Sequence, residues 1–309
     1  MVNSSKKSQS SKKAKTSPKA PAKSSPKSTS KTPTKSSSKW LKPFFILIAL
    51  AAVITSFVLF IINTACPDYI VETNAFFAPF EFYDGAEIKG VDVDIVNRVA
   101  EKLNKNISIT NVDFAVIIDN VASGKVADAG AAGITVTEAR KELVDFTIPY
   151  YTSSQYVIFD KTKSPATVNG SYITWEALTG KIIGTQTDTT GYLFTDGEIA
   201  EGVLKDTGTT LKGFESAQLA ADGISANLVD AVIVDKLPAE YIVKKNSNLA
   251  CLPLYYAGTN GEPDSPAEES YAIAINKDRP ELLQAFNEVL TDMIASGEID
   301  KLIMKYMAL

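Results

Sequence analysis

A small set of polar residues around position 135 has the composition of a receptor for a carboxylate. Gly133 lets the backbone approach a ligand closely, and Thr135 offers a hydroxyl. Thr137 is suited to cap a helix, which places Arg140 in the first turn beside free backbone N–H groups. An anion arriving there would meet the guanidinium, the hydroxyl and the N–H donors together. For so short a motif, a solvated arginine on a surface helix is the alternative interpretation.

Strand and helix patterns alternate around this motif and predict an α/β fold with parallel sheets and helices on both faces. Four polar segments lie at or directly after the ends of predicted strands, namely 74–77, 135–140, 186–190 and Asp235. Because ligands bind at the carboxyl ends of strands in such sheets, these segments should meet around one cleft. The stretch 126–132 is an unusual strand of small residues, which a bulge or a closely packed helix would explain.

Four segments, in the expected order, resemble the signature of the amino-acid-binding proteins of ABC importers, the extracytoplasmic solute-binding family with a type II periplasmic-binding fold. They are Ala78-Pro79-Phe80-Glu81-Phe82, 90–95, 133–151 and 230–235. The resemblance covers residues 68–309 and implies an α/β, two-lobed type II periplasmic-binding-protein-like fold. Lobe one would take residues 68–153 and 271–309, and lobe two residues 156–268, with two crossing strands as the hinge.

The resemblance also implies roles for individual residues. Arg140 would bind the carboxylate of a free amino acid as a bidentate pair, with the Thr135 hydroxyl and the backbone around Thr190 contributing. Asp235 would take the ammonium group, together with the carbonyl of Gly133. A zwitterion held in this way leaves no buried charge unpaired. The alternatives are a helix cap for Asp235 and an ordinary loop position for Thr190.

The side chain of the ligand would meet a second set of residues. Phe77 and Phe114 match positions where the family places aromatic rings around the ligand, although an isolated phenylalanine also suits a core. By the resemblance, Asn74 stands where binders of basic amino acids, and some others, have an acid, and Gln186 would face it across the cleft. Two amides can satisfy a polar uncharged group, so the sequence predicts a neutral polar amino acid rather than lysine or arginine.

The amino-terminal region has a different composition from the rest. Residues 1–42 contain 12 lysines and no acidic residue, which predicts a disordered, Lys/Ser/Pro-rich cytoplasmic tail. Residues 43–63 are uncharged and apolar, long enough for one transmembrane helix. The lysine excess precedes this segment, so the binding domain should lie on the extracytoplasmic side of the plasma membrane. Lipidation at Cys66 is the alternative, with Asn-Thr-Ala before the cysteine a poor match.

Charge and composition exclude several classes of function. The residues after 42 hold 19 of the 31 basic residues and all 36 acidic ones, a net charge of −17, which argues against nucleic acid as a partner. The chain has no histidine, which removes Ser-His and Cys-His catalysis and the commonest metal ligand. No cofactor or metal is expected. Cys66 and Cys251 allow one disulfide, or a buried apolar thiol at Cys251.

These observations together predict a substrate-binding protein of an ABC transporter and not an enzyme. It would capture a free amino acid between two lobes and deliver it to the permease and its ATPase. A dehydratase-like enzyme on the same fold is an alternative, because fold does not settle function. A ligand-sensing module is the other alternative, and it would need a cytoplasmic partner that recognises the tail.

We predict that the mature chain keeps residues 1–62, because the apolar run is longer than the core of a cleavable signal peptide. Intact mass measurement of the native protein tests this prediction. A chain that begins at Cys66 and carries additional lipid mass would contradict it.

Overall fold

The computed structural model describes residues 47–56, 66–259 and 262–308. The predicted tail 1–42 and the two ends of the predicted membrane segment 43–63 lie outside the described residues. The middle of that segment, 47–56, is helical. Among the residues that the structure describes, no helix has both the length and the apolarity needed to cross a membrane.

The described chain forms strands and helices whose bounds are as follows. The strands are β1 (Tyr69–Thr73), β2 (Phe76–Phe77), β3 (Glu81–Asp84), β4 (Glu87–Lys89), β5 (Ile107–Asn111), β6 (Ala129–Gly130), β7 (Asp145–Phe146), β8 (Tyr151–Asp160), β9 (Ile173–Thr174), β10 (Ile182–Gln186), β11 (Thr210–Phe214), β12 (Ala231–Asp235), β13 (Leu249–Tyr256), β14 (Ser265–Pro266), β15 (Glu268–Tyr271) and β16 (Ala274–Ile275). The helices are α1 (47–56), α2 (Val91–Leu103), α3 (Phe114–Ser123), α4 (Glu138–Leu143), α5 (Thr190–Ala200), α6 (Ala217–Ser225), α7 (Lys236–Lys245), α8 (Pro280–Ala295) and α9 (Glu298–Met307).

The first lobe is built on a sheet with the strand order β5-β1-β6-β16-β7. Strands β5, β1 and β6 run parallel, as expected where helices connect successive strands. Strand β16 pairs antiparallel with both β6 and β7, so the chain returns to this sheet after it has built the second one. A separate hairpin sheet of β2, β3 and β4 lies between β1 and α2 in the chain.

The second lobe is built on a larger sheet with the order β11-β10-β12-β8-β13-β14. Strands β10, β11 and β12 are parallel, and β8 runs antiparallel to its neighbours β12 and β13. The first half of β8 pairs with β15, in a register that joins Tyr151 to Tyr271 and Ser153 to Glu269. The predicted two-lobed α/β fold is therefore confirmed, with antiparallel strands added to each parallel core.

Apolar residues at helical spacing fix the helices onto the sheets. In α2 the side chains of Val91, Ile95 and Val99 are fully buried, and their spacing of four places them on one face. This helix packs against α8, which buries Leu282 and Phe286 among others. The predicted two-helix carboxyl end is thus confirmed, with the break at Gly297, whose φ of 66° favours glycine.

One predicted strand is shorter in the structure than the sequence suggested. The strand expected over 126–132 is reduced to Ala129–Gly130. Close packing explains its small residues, because a Cβ added to Gly130 would lie 2.5 Å from a methyl group of Ile117 on α3.

Cys66 and Cys251 are both free thiols. Burial raises the pKa of Cys251 to about 11, as expected for an unreactive apolar thiol.

Candidate ligand-binding site

All nine residues singled out in the sequence line one cavity between the lobes. They are Asn74, Phe77, Phe114, Gly133, Thr135, Arg140, Gln186, Thr190 and Asp235. Glu81, Ala132 and Thr189 also contribute to its wall. The free volume inside is ≈ 10 Å³, about the space that one water molecule needs. The two lobes therefore lie close together around this cavity.

Strand ends deliver these residues to the cavity. Asn74 directly follows β1, Gln186 is the last residue of β10, and Asp235 is the last residue of β12. Because β10 and β12 are parallel neighbours, Gln186 and Asp235 emerge at the same edge of the second sheet. Asn74 and the loop that contains Thr135 emerge in the same way from the first sheet, so the two carboxyl edges face each other across the cavity.

Gly133 adopts a backbone conformation that few other residues tolerate. Its φ is 55°, and an added Cβ would lie 2.8 Å from the ring of Phe77. Its N–H donates to Oδ2 of Asp92 over 2.9 Å. The group that approaches this glycine closely in the structure is an aromatic ring of the cavity wall, and the close approach of a ligand stays a prediction.

Arg140 is held in place by protein carbonyls and an aromatic ring. Thr137 caps α4 and accepts from the Arg140 backbone N–H over 3.2 Å. The guanidinium donates from Nη1 to the carbonyl of Thr135 over 2.8 Å and from Nη2 to the carbonyl of Asp188 over 3.1 Å. Its Cζ lies 5.5 Å from the centre of the Phe114 ring. Burial lowers the pKa of Arg140, and the nearby acidic groups oppose that shift.

Asp235 is buried without a hydrogen bond to one of its carboxylate oxygens. Its side chain is 5% exposed, and Oδ1 has no hydrogen-bond partner among the described residues. The residue occupies the cap position of α7 but makes no side-chain capping bond, so the alternative role as a helix cap is not realised. Burial and the neighbouring negative charge of Glu269 raise the pKa of Asp235 well above its ordinary value.

The two predicted amides meet across the cavity. Gln186 Nε2 donates to Asn74 Oδ1 over 3.0 Å, and Asn74 Nδ2 donates to the carbonyl of Val112 over 2.8 Å. Both amide side chains are buried, as is Phe77, whereas Phe114 is half-buried. The amide pair therefore closes one end of the cavity with hydrogen bonds and without charge.

A pair of buried carboxyl groups lies beneath the Gly133 loop. Asp92 accepts from the Gly133 N–H and, over 2.6 Å, from the Tyr150 hydroxyl. Burial raises the pKa of Asp92 to about 6, although both hydrogen bonds oppose the shift. Glu81 is fully buried, and neither of its carboxyl oxygens has a hydrogen-bond partner in the described part of the chain. Burial and the charge of Asp92 raise the pKa of Glu81 well above its ordinary value.

Another buried acid, Glu269 on β15, joins the two lobes behind the cavity. Thr135 Oγ1 donates to Glu269 Oε2 over 2.5 Å, and Thr190 Oγ1 donates to the same oxygen. Gln155 Nε2 donates to Glu269 Oε1. Strand register explains the meeting, because Glu269 pairs with Ser153 and Asp235 pairs with Gln155 on the same strand β8. Residues two apart on a strand share a face, so the two acids share one too.

Sequence reasoning missed the roles of the buried acids. Glu81 and Asp92 belong to two of the four motif segments, but nothing in their spacing showed that they meet under Gly133. Glu268 and Glu269 are adjacent in the chain, and alternation sends one to each face of a strand. The structure exposes Glu268 and buries Glu269. An acidic pair inside a predicted hinge strand was the available signal.

We predict that Asp235→Asn alters the pH dependence of the stability of the ligand-free protein. The folded protein binds a proton at Asp235 more tightly than the unfolded chain, in which the pKa of Asp is about 3.9. The stability of the parent therefore falls as the pH rises above about 4, and continues to fall until Asp235 ionises. Asparagine cannot ionise and removes this contribution, which is about 1.4 kcal/mol for each unit of pKa shift.

Urea unfolding of parent and variant at intervals from pH 4 to pH 8 measures the effect. The free energy of unfolding of Asp235→Asn should rise relative to that of the parent as the pH increases. The contributions of the other titrating groups are the same in both proteins and cancel in the difference. Asp196→Asn, at an exposed position of α5, is the matched control for the loss of one carboxyl group. A difference between Asp235→Asn and the parent that stays constant across the range would contradict the prediction.

Comparisons with known proteins agree with this architecture. The chain is 30% identical over 243 residues to the arginine-binding extracellular protein ArtP of Bacillus subtilis, covering 77% of this chain and 85% of that protein. Among solved structures, it resembles the L-arginine-bound amino acid ABC transporter substrate-binding protein AbpA of Streptococcus pneumoniae, with 27% identity and a TM-score of 0.67. The match covers 78% of this chain and 94% of that one.

An ancestral amino-acid-binding protein, described as a precursor of cyclohexadienyl dehydratase, is also similar. It shares 25% identity and a TM-score of 0.63, over 77% of this chain and 95% of that chain. The sequence also matches a family profile over residues 69–308, which includes the whole two-lobed unit described above. This chain therefore belongs to the bacterial extracellular solute-binding proteins, family 3.

Proposed function

We propose that this protein binds a free amino acid between its lobes through the two charges of the ligand. The observation that carries the proposal is the placement of Arg140 and Asp235 on the wall of one cavity. A buried carboxylate oxygen without a partner is unfavourable unless a proton or a cation meets it. The ammonium group of an amino acid would be that cation, while its carboxylate would replace the carbonyl partners of Arg140.

Closure of the lobes would follow from the same contacts. The first lobe, 68–153 and 271–309 in our assignment, contributes Arg140, and the second lobe, 156–268, contributes Asp235. A ligand that touches both favours the closed arrangement over the open one and shifts the population toward it. A direct hydrogen bond of 3.0 Å from Gln186 to Asn74 crosses the cleft, which supports such a closed arrangement of the two lobes.

We propose further that the ligand carries a neutral polar side chain. Asn74 and Gln186 supply donors and acceptors without charge at one end of the cavity. Glu81, the acidic residue that lines the described cavity besides Asp235, has a raised pKa that favours its neutral form. A ligand with a guanidinium or ammonium side chain, such as arginine or lysine, would therefore find no ionised partner among Asn74, Gln186 and Glu81.

Arginine is the competing candidate for the ligand. The relatives named above include an arginine-binding protein and a substrate-binding protein solved with L-arginine. The rings of Phe77 and Phe114 in the wall could also hold a flat cation by stacking. These two relatives are 30% and 27% identical to this chain, so their ligand makes arginine a candidate and does not fix the choice.

Delivery to an ABC permease completes the proposed role, with segment 43–63 as the anchor in the plasma membrane.

An enzyme on this fold would need a general acid, and Glu81 in its protonated form is the candidate that the structure offers. We favour binding because the relatives named above are described as binding proteins, and because Arg140 and Asp235 on the cavity wall match the two charges of an amino acid. A sensor would share the same binding step.

We predict that Arg140→Ala and Asp235→Asn each weaken amino-acid binding by about 2–5 kcal/mol, because each leaves one charge of the ligand buried without its partner. Isothermal titration of the full-length protein with the tightest standard amino acid measures the loss. Lys141→Ala removes the exposed neighbouring cation on α4 and should leave the affinity unchanged. If both charge variants bind every amino acid as tightly as the parent, the proposed clamp is wrong.

We predict that a screen of all standard amino acids finds the tightest binding for a neutral polar one. Asn74→Asp should then shift the preference toward arginine and lysine, because it places a charge beside Gln186 at the closed end of the cavity. Calorimetric dissociation constants for parent and variant provide the comparison. A parent that binds arginine or lysine at least about tenfold tighter than every neutral amino acid rules out the neutral ligand.

A further inference from the structure

Glu269 takes hydrogen bonds from one threonine of each lobe. Its carboxylate is 5% exposed and lies on β15, behind the cavity wall. Oxygen Oε2 accepts from the hydroxyls of Thr135 and Thr190, and Oε1 accepts from Gln155. Thr135 and Thr190 both line the cavity, whereas Glu269 does not belong to its wall. The acid therefore reaches a ligand through the two threonines and not directly.

The number of protons on these hydroxyls decides what they can offer. A threonine hydroxyl has one proton to donate and two lone pairs that accept. The two hydroxyl oxygens lie 3.3 Å apart, a longer contact than the 2.5 Å between Thr135 Oγ1 and the carboxylate. Hydrogen bonds to a carboxylate are also stronger than those between neutral groups. Both protons are thus directed at Glu269, and only lone pairs remain for the cavity.

Three residues of the cavity wall then offer acceptors. Two are the hydroxyl oxygens of Thr135 and Thr190, and the third is the carboxylate of Asp235, since all three residues line the cavity. An ammonium group presents three N–H donors and no acceptor. A hydroxyl in its place would present one donor, and two of the three acceptors would face its lone pairs.

We propose that Glu269 is a positioning residue that directs the protons of Thr135 and Thr190 away from the cavity, so that the site accepts a primary ammonium group and rejects a hydroxyl. This inference rests on the proposed function and adds a determinant to it. It also changes the role expected for Thr135, whose hydroxyl faces the ammonium, while Arg140 and backbone N–H groups keep the carboxylate. The negative charge of Glu269 favours the cation further.

The test compares an amine ligand with its hydroxyl counterpart. The probes are the standard amino acid that binds tightest in the titrations above and its 2-hydroxy acid analogue, which differs only in the group placed near Asp235. Dissociation constants are measured by isothermal titration with the full-length parent, Glu269→Gln and Glu268→Gln. The exposed Glu268 on the same strand provides the matched control, since it loses the same charge without contacting either threonine.

We expect Glu269→Gln to weaken binding of the amino acid roughly 10- to 100-fold, the usual effect of losing a hydrogen bond to a charged group. Binding of the hydroxy acid should stay within about twofold of the parent value, so that the preference for the amine collapses. Glu268→Gln should change neither constant. Equal losses for both probes, or no loss for either, would overturn the inference and leave the proposed function standing.

A parent that binds none of the standard amino acids overturns the proposed function itself, and this inference with it. Melting curves without ligand show whether Glu269→Gln folds. If it does not, Glu269→Asp is titrated instead, because it keeps the charge but is too short to reach both hydroxyls. The same selective loss for the amine is expected, and equal losses for the two probes would again overturn the inference.

Discussion

One half-buried guanidinium and the carboxyl groups near it set the constraint on the rest of the domain. Removing such charges from water is unfavourable by several kcal/mol per ion unless close partners compensate. Arg140 has carbonyl partners from both lobes, while Asp235 and Glu269 share one face of the second sheet. The parallel strands matter because their ends bring these groups into the same small volume, which no single loop could do.

Beneath this layer, a second set of contacts fixes the shape of the loop that faces the ligand. The positive φ of Gly133 turns its N–H toward Asp92, which is itself held by the hydroxyl of Tyr150. The ring of Phe77 occupies the space that a side chain at 133 would need. A loop tied at its amide and covered by a ring has little freedom, so the carbonyl and hydroxyl that follow keep fixed directions. Rigid placement of this kind is what lets a few polar groups select a ligand.

The sequence predicted those features that depend on local pattern. Helical spacing located α2, and the alternation of strands and helices placed Asn74, Gln186 and Asp235 at strand ends, where the structure brings them together. The missed features depend on contacts between distant segments. The face to which Glu269 points follows from the pairing of β15 with β8, and the two-residue length of β6 follows from its pairing with Val71 and Glu72 of β1. Neither pairing register nor packing distance can be read from composition.

The small volume of the closed cavity has a consequence for how affinity is set. Residues around it also bind one another directly across the cleft, among them Asn74 with Gln186 and Arg140 with the carbonyl of Asp188, and such contacts favour closure whether or not a ligand is bound. The apparent dissociation constant is then the intrinsic constant divided by the fraction of molecules that stand open. When most molecules are closed, each further 1.4 kcal/mol of free energy that stabilises the closed form without ligand raises the apparent dissociation constant about tenfold. Substitutions at residues that contact only the opposite lobe can therefore change the affinity for the ligand, because they change the fraction of molecules that are open.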